Sequence, residues 1–134
     1  MVMNANGYVT GALKGVLQLE GLGMLALSVA AYSQTGLGWG WFFGFFLAPD
    51  LAALGYIGGQ KAGAAAYNAG HSYIGPMLLL AAGFAFHVPP LLGAGLIWMA
   101  HIGLDRALGY GLKYADGFGA THLGVKGRSR PVSA

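Results

Sequence analysis

Glu20, Asp50, His71, His101 and Asp105 sit inside stretches of sequence otherwise apolar enough to span a bilayer. Carboxylates and imidazoles carry protons, hold divalent cations and act as general bases, and all are costly in hydrocarbon. An acidic or basic residue at the centre of a membrane helix costs roughly 2.5–3.5 kcal/mol. Three carboxylates and Arg106 together therefore cost on the order of 10 kcal/mol unless they pair or bind something. Spacing brings some of these groups together. His101 and Asp105 are four residues apart and Asn68 and His71 three apart, so each pair shares one helical face. Pro49 precedes Asp50, and a proline kinks a helix by removing a donor, which presents Asp50 inward. Histidine and carboxylate sets from facing helices build metal sites in bundles, and imidazole with carboxylate suits Zn, Mn or Fe better than Ca. The same residues can also form buried pairs that lock a bundle, Asp105 with Arg106 or Glu20 with a histidine.

Four apolar segments must position these groups: about 13–34, 39–58, 62–86 and 90–112, each close to the roughly 20 residues a membrane-crossing helix needs. The chain has 134 residues, 56% hydrophobic and only 8% charged, which is outside ordinary soluble usage and implies a single domain. Short connections at 34–38, 58–61 and 87–90, marked by Gly and Pro, make consecutive helices antiparallel. The sequence thus predicts an all-α polytopic membrane protein, an antiparallel four-helix transmembrane bundle with a basic tail over 113–134. Lys14, Lys61 and Lys113 with the tail fall on one side, whereas the other two loops carry no Lys or Arg. Retention of positive flanks in the cytoplasm then places both termini there. The opening residues lack the basic n-region and short apolar core of a removable signal, so the first segment is expected to stay. No cysteine is present, which excludes disulfides, thiolate metal sites and cysteine nucleophiles.

Counted from the cytoplasmic ends at roughly 1.5 Å per residue, the five ionisable residues lie roughly 9–18 Å deep, one layer supplied by all four helices. His122, in the segment after the fourth helix, caps that layer if the segment folds back, and is otherwise an exposed histidine. His87, beside Pro89, reads as a solvated loop residue. Trp39 and Trp41 open the second helix as interfacial anchors, and Tyr110 and Tyr114 close the fourth. Glycines at four-residue spacing (Gly11 and Gly15, Gly40 and Gly44, Gly55, Gly59 and Gly63) allow close helix approach, within one bundle or across a homo-oligomer contact. The net charge of +3 is too small and dispersed for nucleic acid, while Lys126, Arg128 and Arg130 beside a membrane surface favour membrane lipids as partners.

The runs HIGLDRALGYGLKY (101–114) and THLG (121–124), with PDLAALGY (49–56) and YNAGHS (67–72) upstream, resemble the small bacterial membrane proteins grouped as domain of unknown function 4260. The likeness extends from Leu17 to Gly124. It implies a four-helix, multi-pass fold in the bacterial inner membrane, and no settled activity. In addition, the order of Pro49-Asp50, His71-Ser72, and His101 with Asp105 is similar to the integral membrane metal-dependent hydrolases. Their helices carry a Pro-Asp, a Thr-His-Ser and a later His with Asp. That resemblance implies Asp50, His71, His101 and Asp105 as metal ligands. Gly70 stands where those enzymes have threonine, and Asn68 stands near the place of their arginine-linked first histidine.

The leading expectation is a membrane-embedded metal-dependent hydrolase of a lipid or other amphiphile reached from the cytoplasmic leaflet. A divalent Zn, Mn or Fe ion would sit on Asp50, His71, His101 and Asp105, with Glu20 as general base and Arg106 and Lys113 meeting an anionic head group. The alternative is a small binding, transport or accessory protein whose His and carboxylate layer holds a proton or cation without bond chemistry. Four helices are few for transport, so that version needs a homo-oligomer. The outer halves of the helices hold almost no ionisable residues, which disfavours a path through the membrane.

Overall fold

A computed structural model of the chain describes residues 11–112 and the backbone of 120–121 and 124–125. Lys113, Tyr114 and His122 lie outside the described residues. The fold is all-α: α1 (Gly11–Ser33), α2 (Trp39–Phe45), a 3₁₀ helix (Ala48–Gly58), α3 (Gln60–His71), α4 (Ile74–Ala85) and α5 (Pro89–Ala107). After α5, Ala120–Thr121 pairs antiparallel with Gly124–Val125.

The sequence predicts single helices over 39–58 and 62–86, and the structure breaks both. The two breaks have the same cause. A proline inside an α-helix lacks the N–H that would bond to the carbonyl four residues earlier, and its ring clashes with that carbonyl. Four residues before Pro49 is Phe45, where α2 ends, and the chain resumes as a 3₁₀ helix. Four residues before Pro76 is Ser72, which turns extended (φ −92°, ψ 152°) and ends α3 at His71. The 3₁₀ stretch runs for 11 residues, well beyond the ordinary three or four. The last helix also stops short of the expected 112. Gly109, at φ 87°, takes the left-handed conformation that closes α5, with Tyr110 N–H bonding to the Asp105 carbonyl at 2.7 Å and Gly109 N–H to Arg106 at 3.0 Å. His87 plays the same part after α4, at φ 56°, and is exposed.

The helix α5 is the centre of the packing. It lies against α1 on one side and α4 on another, while the 3₁₀ helix packs on α3. Eight of its residues are buried, from Gly93 to Gly103. An apolar cluster of Tyr32, Phe42, Ile97 and Ala100 joins α1, α2 and α5, and the Tyr32 hydroxyl donates to the Gly38 carbonyl at 2.8 Å. Of the regularly spaced glycines, Gly55 and Gly63 do lie at a close contact, against Ala66 and Tyr56, but Gly11, Gly15, Gly40, Gly44 and Gly59 face open space. The tightest backbone approach of α1 to α5 is instead between Gly21 and Gly103. A Cβ on Gly103 would lie 2.7 Å from both the Gly21 carbonyl oxygen and the Leu25 nitrogen.

Two segments are long and apolar enough to cross a membrane, Gly11–Ser33 and Trp39–Gly58. The apolar windows are only 17% and 6% buried, unlike the core helix of a soluble protein. Large apolar side chains stand exposed along them, Leu19, Leu27, Phe43, Leu47 and Ile57 among them.

Gly103→Leu is expected to destabilise the fold by about 1–3 kcal/mol, the cost of overpacking against backbone that cannot yield. Gly23, which has open space around it, supplies the control: Gly23→Ala should leave the thermal unfolding midpoint in detergent unchanged or slightly raised.

Candidate metal centre

Asp50, His71, His101 and Asp105 converge, each offering one ligand atom, and those atoms lie within 4.8 Å of one another. His71 Nε2 is 3.1 Å from Asp50 Oδ1 and 3.4 Å from Asp105 Oδ2. His101 Nε2 is 3.2 Å from the same Asp50 oxygen and 3.3 Å from the same Asp105 oxygen. The two Nε2 atoms are 3.2 Å apart. Both imidazoles are buried, Asp105 is partly buried and Asp50 is half exposed, at 51% of its side-chain surface.

Each ligand arrives from a position the backbone dictates. His101 and Asp105 are one turn apart on α5. His71 is the last residue of α3, so the Pro76 break sets where it stands. Asp50 follows Pro49 near the start of the 3₁₀ helix. Gly70 lets these two elements approach, since a Cβ there would lie 2.7 Å from the Ala52 Cβ and 3.3 Å from the Pro49 carbonyl oxygen. A threonine, which the hydrolase pattern carries where this chain has Gly70, would press on Ala52 here.

The broken ends of the helices leave carbonyls without helical partners, and side chains around the centre take them up. Trp98 Nε1 donates to the Gly70 carbonyl at 2.6 Å, and Arg106 Nη2 to the His71 carbonyl at 3.4 Å. The Arg106 guanidinium also lies over the Tyr73 ring, 5.5 Å from its centre. It is turned inward to hold the end of α3. Pro49 offers no N–H to the Phe46 carbonyl three residues earlier, and the Asp50 N–H goes to Leu47 at 3.0 Å. The Phe46 ring meets the His101 ring edge to face at 5.5 Å.

The proton positions decide what the centre can hold. His71 Nδ1 is 2.9 Å from the Tyr67 carbonyl, an acceptor only, so Nδ1 carries the hydrogen and donates it. In the neutral ring Nε2 is then a bare lone pair, aimed at two carboxylate oxygens and a second imidazole nitrogen. Such a set repels itself unless something positive lies among its members. Protonating both Nε2 atoms instead sets two N–H groups 3.2 Å apart and leaves His101 Nδ1 a buried lone pair without a hydrogen-bond partner. A cation among the four removes the repulsion, as does a single proton that one Nε2 donates to the other. With a cation on Nε2, His101 carries its hydrogen on Nδ1, which is buried and has no hydrogen-bond partner among the described residues. Two imidazoles and two carboxylates fit a divalent Zn, Mn or Fe ion.

The other candidates fall outside this convergence. Glu20 is exposed on α1, and no hydrogen bond or ion pair joins it to the four residues. Its charge acts on Tyr73. Asn68 is half-buried on α3. Sequence reasoning missed Tyr67, whose ring stacks on His71 with centroids 3.8 Å apart and whose carbonyl orients that imidazole. It also missed Trp98. The signals were a tyrosine four residues before His71 and a tryptophan three before His101.

A family model described as Domain of unknown function (DUF4260) matches residues 14–125. The chain belongs to the DUF4260 family. The match contains all four converging residues, so the centre lies within the DUF4260 domain and not on an appended segment. No curated protein and no solved structure matches this DUF4260 chain.

Gly70→Val is expected to separate α3 from the 3₁₀ helix and to weaken divalent-metal binding by about 10- to 100-fold, as other losses of ligand support do. Equilibrium dialysis followed by elemental analysis measures it, and the helical circular dichroism should be retained.

Proposed function

We propose that this protein is a membrane-embedded, metal-dependent hydrolase acting on a lipid or another amphiphile reached from the cytoplasmic leaflet. The observation that carries the reading is the convergence of His71 Nε2, His101 Nε2, Asp50 Oδ1 and Asp105 Oδ2 within 4.8 Å, in a chain whose two longest apolar segments are largely exposed. The likeness of Pro49-Asp50, His71-Ser72 and His101 with Asp105 to integral membrane metal-dependent hydrolases supports it.

In this reading the chain is a multi-pass protein of the bacterial inner membrane with both termini in the cytoplasm. Its four spans are α1, α2 with the 3₁₀ helix, α3 with α4, and α5. Two spans are broken, and broken spans are tolerated in membranes where their freed backbone is buried in protein or lines a cavity.

When bound, the divalent cation would polarise the scissile oxygen and acidify a water molecule. The chain's own residues do the rest. Asp50, His71, His101 and Asp105 would hold the ion. Half-exposed Asp50 marks the side from which water and substrate enter. The Tyr67 carbonyl orients the His71 imidazole. Arg106 acts as a positioning residue through the His71 carbonyl. Glu20, exposed on α1, is left out of the reacting set.

Purified in detergent, the wild-type protein should carry stoichiometric divalent metal, and His71→Ala and His101→Ala should each lose it together with hydrolysis of an amphiphilic ester. Metal-free wild type, or unchanged metal in both variants, overturns the proposal.

A further inference from the structure

A cavity of about 710 Å³ lies beside the centre, within the range of about 300–1,000 Å³ typical of ligand sites. Its α5 wall is formed by Pro90, Gly93, Ala94, Ile97 and Trp98, and the next residues at the same three- and four-residue recurrence are His101 and Asp105. Cavity and centre are therefore successive stretches of one helix face. The opposite wall repeats the order: Phe45, Ala48 and Pro49 line the cavity, and Asp50 follows immediately. Two hydrogen-bonding groups in the wall are already engaged, the Tyr32 hydroxyl with the Gly38 carbonyl and the Trp98 indole N–H with the Gly70 carbonyl. The lining is otherwise apolar side chains and glycine. Trp41 and Phe45, at 64% and 53% exposure, belong to the apolar segment that faces outward, so the cavity borders the surface that meets lipid in the reading above.

We propose that this cavity seats the hydrocarbon chain of a single-chain amphiphile and delivers the amphiphile's polar end to Asp50 beside the two histidines. The inference rests on the hydrolase reading for the fate of the polar end, and on the cavity alone for the seat of the chain. It accounts for the apolar lining on one side of a polar centre. It also matches the expected direction of approach: an amphiphile of the cytoplasmic leaflet has its polar end on the cytoplasmic side and its chain pointing toward the bilayer middle, as the cavity points away from the centre toward the 37 and 90 turns. At about 710 Å³ the cavity is the size of one small-ligand site, which suits one chain.

The test uses the tryptophans as reporters. With Trp39→Phe and Trp41→Phe in place, Trp98 is the sole tryptophan of the chain, and it lies on the cavity wall. A dibrominated stearate, added to the protein in unbrominated detergent, should quench Trp98 fluorescence saturably. Ala94→Phe, which puts a ring into the cavity, should weaken the apparent affinity by about tenfold or more. Leu51→Phe, on an exposed position outside the lining, should change nothing. Unbrominated fatty acids should displace the probe with an optimum chain length. Linear, unsaturable quenching, or displacement that rises steadily with chain length, overturns the proposal; the length series needs no folded Ala94→Phe protein. Equal saturable quenching by a dibrominated diacyl phosphatidylcholine overturns the single-chain assignment. Protein stripped of metal by chelation separates the two readings. Saturable quenching in a protein that binds no metal keeps the chain seat and removes the hydrolase, and stoichiometric metal with unsaturable quenching does the reverse.

Discussion

Two imidazole nitrogens and two carboxylate oxygens, none more than 4.8 Å from another, cannot share that volume without a positive species among them. Much of the architecture serves this one electrostatic constraint. Tyr67 determines which nitrogen of His71 bears the hydrogen, Gly70 sets how near α3 comes to the 3₁₀ helix, and α5 supplies the remaining pair of ligands from a single face. Charge provides the balancing argument: two carboxylates and two neutral imidazoles match one divalent cation.

The prolines explain why the centre sits where it does. Pro49 and Pro76 each end a helix about one turn upstream, at Phe45 and at His71, and the two converging residues outside α5 stand at those interruptions. An interrupted helix leaves orphaned carbonyls, each expensive to bury. Here two of them are taken up. Trp98 takes the Gly70 carbonyl and Arg106 the His71 carbonyl. Both of those residues are on α5, so the helix that provides two of the converging residues also repairs the break that presents His71.

Much of this was legible in the residue order, because polar groups in apolar stretches are rare enough to draw attention individually. The membership of Asp50, His71, His101 and Asp105 in one set followed from helical spacing and from resemblance, and the geometry brings all four together. Glu20 stands exposed on α1 outside the converging set; depth along a helix says nothing about rotation around it, and α1 has too weak an apolar asymmetry to fix its facing. The continuity of the middle helices was misread for a different reason. Hydropathy averages over a window and does not register a missing N–H, so Pro49 suggested a kink where a change of helix type occurs, and Pro76 passed without notice. The close packing between Gly21 and Gly103 was hidden because the partners lie on different helices and share no spacing within either.

The helix α5 has one more consequence. Its two ligands are held by the pitch of a single helix and stay in register whenever α5 is folded, whereas Asp50 and His71 reach the centre only through packing between separate elements. The ligand set is thus divided into a permanent half and a conditional half. His101 and Asp105 form a preassembled pair, and Asp50 and His71 complete the set of four only when their elements dock on α5. The completeness of the set is in this sense a measure of how well the two interrupted helices are docked.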